Sequence, residues 1–196
     1  MNFFLLRWQA LMKNLIPHFI QQQFAQGVWH GRFHAATLFI DITGFTSLTE
    51  TLMQYEKEGA EVLAGALADI FNPLVTAVYA RGGFIASFAG DAFTAIFPDD
   101  ADQPHPPALR ALSTAFYSQS LFPDYENAAP HQGRVRLMQM RYGDFAIGIK
   151  IGLSMGEVTW GIAGEQGMHS FYFRGEAVSQ CAEAQKHGHS GDIIAA

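Results

Sequence analysis

Phe39-Ile40-Asp41-Ile42-Thr43-Gly44-Phe45-Thr46 and Phe88-Ala89-Gly90-Asp91-Ala92-Phe93 each set a lone carboxylate inside an apolar, strand-like run beside a glycine. A buried carboxylate is costly unless it is paired or coordinates a cation. Two of them, each at a strand end, point to a shared metal. Hard divalent ions such as Mg²⁺ are held by one or two carboxylates, substrate phosphates and water. Gly44 lets the backbone approach an anion closely, and the amides of the helix turn that follows point at it. Together these features describe half of a site for a nucleotide phosphate.

Working outward, residues 36–42 predict a buried strand that Thr43 and Gly44 break, with helical spacing beginning near Phe45. From Gly59 to Tyr79, Val62, Leu63, Leu67, Ile70, Phe71, Leu74, Val75 and Val78 recur at three and four, which predicts a long helix that Pro73 kinks. Gly82-Gly83 ends it. Phe84 to Phe88 and Ala92 to Phe97 form a hairpin with Asp91 at its tip, and residues 98–107, rich in Pro and Asp, form a loop. A helix over Leu109–Leu121 follows, then a surface excursion over 122–135. Paired strands are expected at Asp144–Leu153 and Glu157–Ile162, another at His169–Phe173, a helix over Val178–Lys186 and a last strand over Asp192–Ala196. The order is that of an α+β fold, a mainly antiparallel sheet with helices packed on one face.

The 196 residues suit one domain with a substantial core, since 49% are hydrophobic and only 15% charged. A net charge of −6 argues against nucleic acid or an anionic membrane as partner. Cys181 is the single cysteine, so a disulfide framework and a cysteine-rich zinc site are excluded, in keeping with a reducing cytoplasm. The apolar start Met1-Asn2-Phe3-Phe4-Leu5-Leu6-Arg7-Trp8 has its charges in the wrong order for a signal peptide, and no apolar run reaches transmembrane length. Residues 1–25 read as an amphipathic helix, within a helical extension over 1–35 that precedes a domain over 36–196.

Phe39–Thr46, Phe88–Phe93 and Gly152–Gly164 resemble the catalytic domain of the class III adenylate/guanylate cyclases. Asp41-Ile42-Thr43-Gly44-Phe45-Thr46 matches the first metal aspartate with its Gly-Phe-Thr, and Gly90-Asp91 matches the second in its hairpin. Gly152-Leu-Ser-Met-Gly156-Glu-Val-Thr-Trp-Gly161 matches a later glycine-spaced strand pair. The resemblance implies a ferredoxin-like core and two Mg²⁺ (or Mn²⁺) held by Asp41, Asp91 and the Ile42 carbonyl. It also implies triphosphate on the amides of Thr43, Gly44, Phe45 and Thr46, and ATP converted to 3′,5′-cyclic AMP and pyrophosphate. The family's sites form between two domains around a pseudo-two-fold axis, so a second cyclase domain in cis or in trans is the implied partner.

Four positions depart from that pattern. Ser87 stands at the adenine-reading Lys, Tyr172 at the base-reading Asp, Ser179 at the transition-state Asn and Glu183 at the transition-state Arg. Metal aspartates kept and Asn and Arg lost are similar to the first catalytic half of soluble, bicarbonate-responsive adenylate cyclases, as is Gly175-x-Ala177-Val178 followed by Ala182-x-Ala184-Gln185. A homodimer is then expected to be a poor catalyst. The alternative is a degenerate domain that binds nucleotide or a small anion and regulates a partner. A diguanylate cyclase fits less well, because Ala89-Gly90-Asp91-Ala92-Phe93 lacks the second carboxylate of that family's hairpin. His187 and His189 read as loop residues, Cys181 as core, Ser87, Arg174 and Ser179 as filler or a degenerate anion pocket, and Trp8, Trp29 and Trp160 as core or interface. The chain ends where the family continues with further strands.

Overall fold

Strand β1 (His30–Thr43) runs through the middle of the sheet, antiparallel to β3 (Ala92–Pro98) on one side and β5 (Gly143–Glu165) on the other. The computed structural model describes residues 16–122, 134–165 and 168–196. β2 (Phe84–Ala89) and β4 (Val135–Met140) complete the order β2-β3-β1-β5-β4. β6 (Met168–Arg174) pairs antiparallel with β5, and the short β7 (Ile193–Ala195) pairs with it in parallel. The sheet is therefore mainly antiparallel, and the α+β class holds.

Side-chain alternation along β1 divides the core in two, because successive residues face opposite sides of a sheet. Ala36, Leu38, Ile40 and Ile42 join Ile147, Ile149 and Ile151 of β5 in the larger cluster. Helices α2 (Phe45–Met53), α3 (Glu56–Ala80) and α4 (Pro107–Ser120) cover that face, contributing Leu48 and Leu52, Ile70 and Leu74, and Ala111 and Ala115. The other face carries Ala35, Val158 and Ile96, covered by α1 (His18–Ala25) through Phe19 and by α5 (Glu176–Gln185) through Ala177. Helices thus lie on both faces, not on one. The second face takes a helix because β5 is cleared for it: a Cβ on Gly152 would lie 1.8 Å from the Cys181 carbonyl oxygen, and one on Gly156 would just touch Ala177. Thr37 and Ser154 both donate to the Ala177 carbonyl, tying the start of α5 to the sheet.

Several expectations shift. The first strand begins at His30 rather than Ala36. The two strands expected at 144–153 and 157–162 are one, since β5 keeps its register with β1 from Gly148 to Gly161 without a break. β4 lies where the sequence predicts no strand, and most of the expected excursion (123–133) lies outside the described residues, as do 1–15. α3 continues through Pro73 and, at 25 residues, is long and apolar enough by length and composition to cross a membrane, yet it lays Ala66, Ile70, Leu74, Ala77 and Val78 into the core.

Candidate metal and nucleotide site

Asp41 sits near the C-terminal end of β1, where the strand's second face meets the end of α5. Its cross-strand neighbours are Ala92 on β3 and Lys150 on β5. Lys150 Nζ lies 3.2 Å from Asp41 Oδ2, and Gln185 Nε2 donates to the same oxygen at 2.6 Å. Burial is the largest influence on the Asp41 carboxyl and raises its pKa above the ordinary 3.8. The ammonium of Lys150 opposes that rise, and the charge of Asp91 adds to it. Asp91 directly precedes Ala92, the partner of Asp41 across the sheet, so both carboxylates lie at the same end of the β1–β3 pair.

The β2–β3 hairpin delivers Asp91. Gly90 takes φ +65° at its tip, and Ile42 donates its amide to the Asp91 carbonyl oxygen at 3.2 Å. In an antiparallel strand the N–H and C=O of one residue point the same way, so the Ile42 carbonyl also faces the hairpin. Two carboxylates and one carbonyl form a hard oxygen set that fits Mg²⁺ or Mn²⁺. Among the described residues no group of three or more His, Cys, Asp or Glu gathers anywhere, so a closed all-protein metal cage is absent there.

Gly44 turns the chain from β1 into α2 at φ +84°, and a Cβ there would lie 2.2 Å from the Ala146 carbonyl oxygen. It gives α2 no side-chain cap, and Leu48 is the first amide in the helix to reach a main-chain acceptor, the Gly44 carbonyl at 3.2 Å. The amides of Phe45, Thr46 and Ser47 precede that ladder and carry the helix's positive end. Thr43 is placed differently. Ile149 gives its carbonyl to Gly191 and so turns away from β1, which makes Thr43–Gly148 a hydrogen-bonded pair and commits the Thr43 amide to the sheet. Its hydroxyl donates to Ser190 Oγ at 3.0 Å, and Ser190 donates in turn to the Arg134 carbonyl.

The four departing positions are spread over β2, β6 and α5. Ser87 is exposed on β2 beside a register shift. Tyr172, on β6, lies across Gly161 with Arg174 over its ring. Ser179 and Glu183 are on α5, and Glu183 is exposed, its pKa lowered chiefly by the hydrogen bond to Lys186 at 2.7 Å. The groups that meet Asp41 are Lys150 and Gln185, neither of which the motif pattern marks as a site residue. A signal for Lys150 was present: a lone ammonium within Ile147-Gly148-Ile149-Lys150-Ile151 is as unexpected as the lone carboxylate in β1.

Adenylate cyclase type 10 of Rattus norvegicus is 30% identical to this chain over 164 residues, and the Homo sapiens protein of the same name is 29% identical over 164. The rat alignment takes in 83% of this chain but 9% of that protein. Among solved structures, the adenylyl cyclase CyaB from P. aeruginosa superposes with a TM-score of 0.60 at 22% identity, covering 85% of this chain and 78% of that one. A bacterial light-regulated adenylyl cyclase gives 0.63 at 20% identity, over 93% and 49% of the two chains. The guanylate cyclase domain of RhGC from Catenaria anguillulae, solved with GTP, gives 0.59 at 20%, over 83% and 78%. The chain is homologous to adenylate cyclase type 10 over 83% of its length and has the fold of class III nucleotidyl cyclase domains. No protein-family model matches it. Adenylyl and guanylyl cyclases both share this fold, so fold alone leaves the base open.

Proposed function

We propose that this cyclase domain supplies the metal- and triphosphate-binding half of a composite active site that converts ATP to 3′,5′-cyclic AMP and pyrophosphate, with a second cyclase domain completing it. The observation that carries this reading is the hydrogen bond from the Ile42 amide to the Asp91 carbonyl, which sets the hairpin against the end of β1 that bears Asp41, beside the uncapped amino end of α2. In the reaction the ribose 3′-oxygen attacks the α-phosphorus, the bond to pyrophosphate breaks, and the hydroxyl proton passes to solvent water. Asp41, Asp91 and the Ile42 carbonyl would hold Mg²⁺ or Mn²⁺, which would acidify that hydroxyl and neutralise phosphate charge. The chain's own groups bind and orient: the amides of Phe45, Thr46 and Ser47 meet terminal phosphate oxygens, and Lys150 adds a positive charge beside them. The sequence relatives are adenylate cyclases, which supports ATP over GTP.

A second reading rests on Glu183. An exposed, ionised carboxylate where cationic help for the triphosphate is wanted favours a regulatory domain that binds nucleotide without turning it over. Titrating 3′-deoxy-ATP into the chain by calorimetry separates readings. The catalytic half-site requires binding that needs Mg²⁺ or Mn²⁺, is abolished by EDTA, and is lost in Asp41→Ala and in Asp91→Ala. Binding indifferent to EDTA and to both substitutions leaves the regulatory reading alone.

A further inference from the structure

Asp41 is already occupied. Both of its donors converge on Oδ2, the Gln185 amide at 2.6 Å and the Lys150 ammonium at 3.2 Å. We propose that Lys150 is a positioning residue that serves as the internal counter-cation of Asp41 in the metal-free site, and that it must transfer to a polyphosphate before Asp41 takes a divalent ion. The inference rests on the half-site reading above and concerns how that site is loaded.

The charges argue for it. Asp41, Asp91 and Lys150 together leave the site one negative charge. A divalent ion arriving while Lys150 stays in place makes the local charge positive, and in a partly desolvated site that is unfavourable. A polyanion reverses the sign and offers Lys150 a new partner within reach of its flexible four-carbon stem. Gln185 makes the exchange possible without loss of geometry. It is nearly fully buried on α5, it is neutral, and it keeps its grip on Oδ2 whichever way Lys150 points. The side chain of Lys150 is 25% exposed and Lys150 pairs across the sheet with Asp41 itself, so its ammonium rests on the carboxylate while part of the side chain still meets solvent. Polyphosphate and metal therefore share a site whose resting state opposes each of them separately.

A double-mutant cycle on metal-free polyphosphate binding tests this, using inorganic tripolyphosphate and the full chain in EDTA. Asp41→Asn frees Lys150 and should tighten tripolyphosphate about fivefold or more, a coupling within the range usual between interacting sites. In the Lys150→Gln background the same substitution should change affinity less than about twofold. Lys150→Arg, which keeps the charge, should retain the fivefold response, and melting curves establish that each variant is folded. An equal gain from Asp41→Asn in both backgrounds reflects general electrostatics and overturns the exchange. The parent reading is checked separately, by Mn²⁺ electron paramagnetic resonance on the unmodified chain with tripolyphosphate. Protein-bound Mn²⁺ there with equal gains in the cycle sinks the exchange alone. Absence of bound Mn²⁺ sinks both.

Discussion

Gly152→Ala should cost this domain several kcal/mol, although it adds a single methyl group. The new Cβ would lie 1.8 Å from the Cys181 carbonyl oxygen, 2.7 Å from the Gln185 amide nitrogen and 2.9 Å from the Cys181 carbonyl carbon. All three are main-chain atoms of α5 or its end, so no flexible side chain can give way. To bring the closest approach to about 3.0 Å the helix has to retreat by roughly 1.2 Å. A shift of that size stretches the 2.6 Å bond from Gln185 to Asp41 and the 2.9 Å bond from Thr37 to the Ala177 carbonyl beyond hydrogen-bond length. Two or three hydrogen bonds at about 1 kcal/mol each, with about 1–3 kcal/mol of overpacking, sum to about 3–6 kcal/mol. For a chain of this size that lowers Tm by roughly 10 °C. Urea denaturation and calorimetry read it directly. Gly65→Ala is the internal control: nothing lies within 4 Å of a Cβ there, and in the interior of α3 it should stabilise by about 0.5–1 kcal/mol. A Tm within 2 °C of the parent for Gly152→Ala would refute the claim that this glycine exists to seat α5.

Three further outcomes follow from the same geometry. Arg110 is buried and donates to the carbonyls of His105, Arg81, Gly82 and Pro98, closing the turn after α3; Arg110→Met leaves those acceptors unpaired and should cost about 3–5 kcal/mol by urea denaturation, whereas a loss under 1 kcal/mol contradicts the clamp. Asp41 has its carboxyl pKa raised, first by burial, so across the window from 3.8 up to its native value the folded chain keeps a proton that the unfolded chain has released. Stability therefore falls as pH rises through that window and is level above it, and Asp41→Asn should melt higher than the parent at neutral pH while matching it in acid; a lower melting point at pH 7 contradicts the assignment. Gly44→Ala meets both a left-handed backbone and the Ala146 carbonyl at 2.2 Å, so it should lose about 2–4 kcal/mol and, where still folded, bind tripolyphosphate at least about tenfold more weakly, read by calorimetry.

The elements that carry local chemistry were legible in the sequence. Gly82-Gly83, Gly90-Asp91 and Thr43-Gly44 each end an apolar periodic run with a residue that needs unusual backbone angles, and all three turns fall where the sequence places them. β5 was misread for the converse reason. Ser154-Met155-Gly156 has turn composition, but the Ser154 hydroxyl is spent on the Ala177 carbonyl and Gly156 gives clearance to Ala177, so both belong to helix docking and the strand passes straight through. β4 gave no signal because its burial repeats every third residue, with Val135 and Met138 buried and Arg136 and Gln139 exposed, which is not the alternation of a half-buried strand.

The site divides along the same line. Asp41 and Asp91 stand out because a carboxylate in an apolar strand demands a partner, and that demand can be read one residue at a time. What answers it, Lys150 from β5 and Gln185 from the end of α5, lies 109 and 144 residues further along the chain and is fixed only by sheet register and by the clearance at Gly152. α5 joins the two halves of the argument. Its exposed Glu183 stands where the family resemblance puts chemistry offered to another domain, while its buried end, Gln185, holds this chain's own Asp41. Under the composite-site proposal, substitutions at Ser179 and Glu183 bear on what the domain would offer a partner, and those at Gly152 and Gln185 bear on the site it keeps.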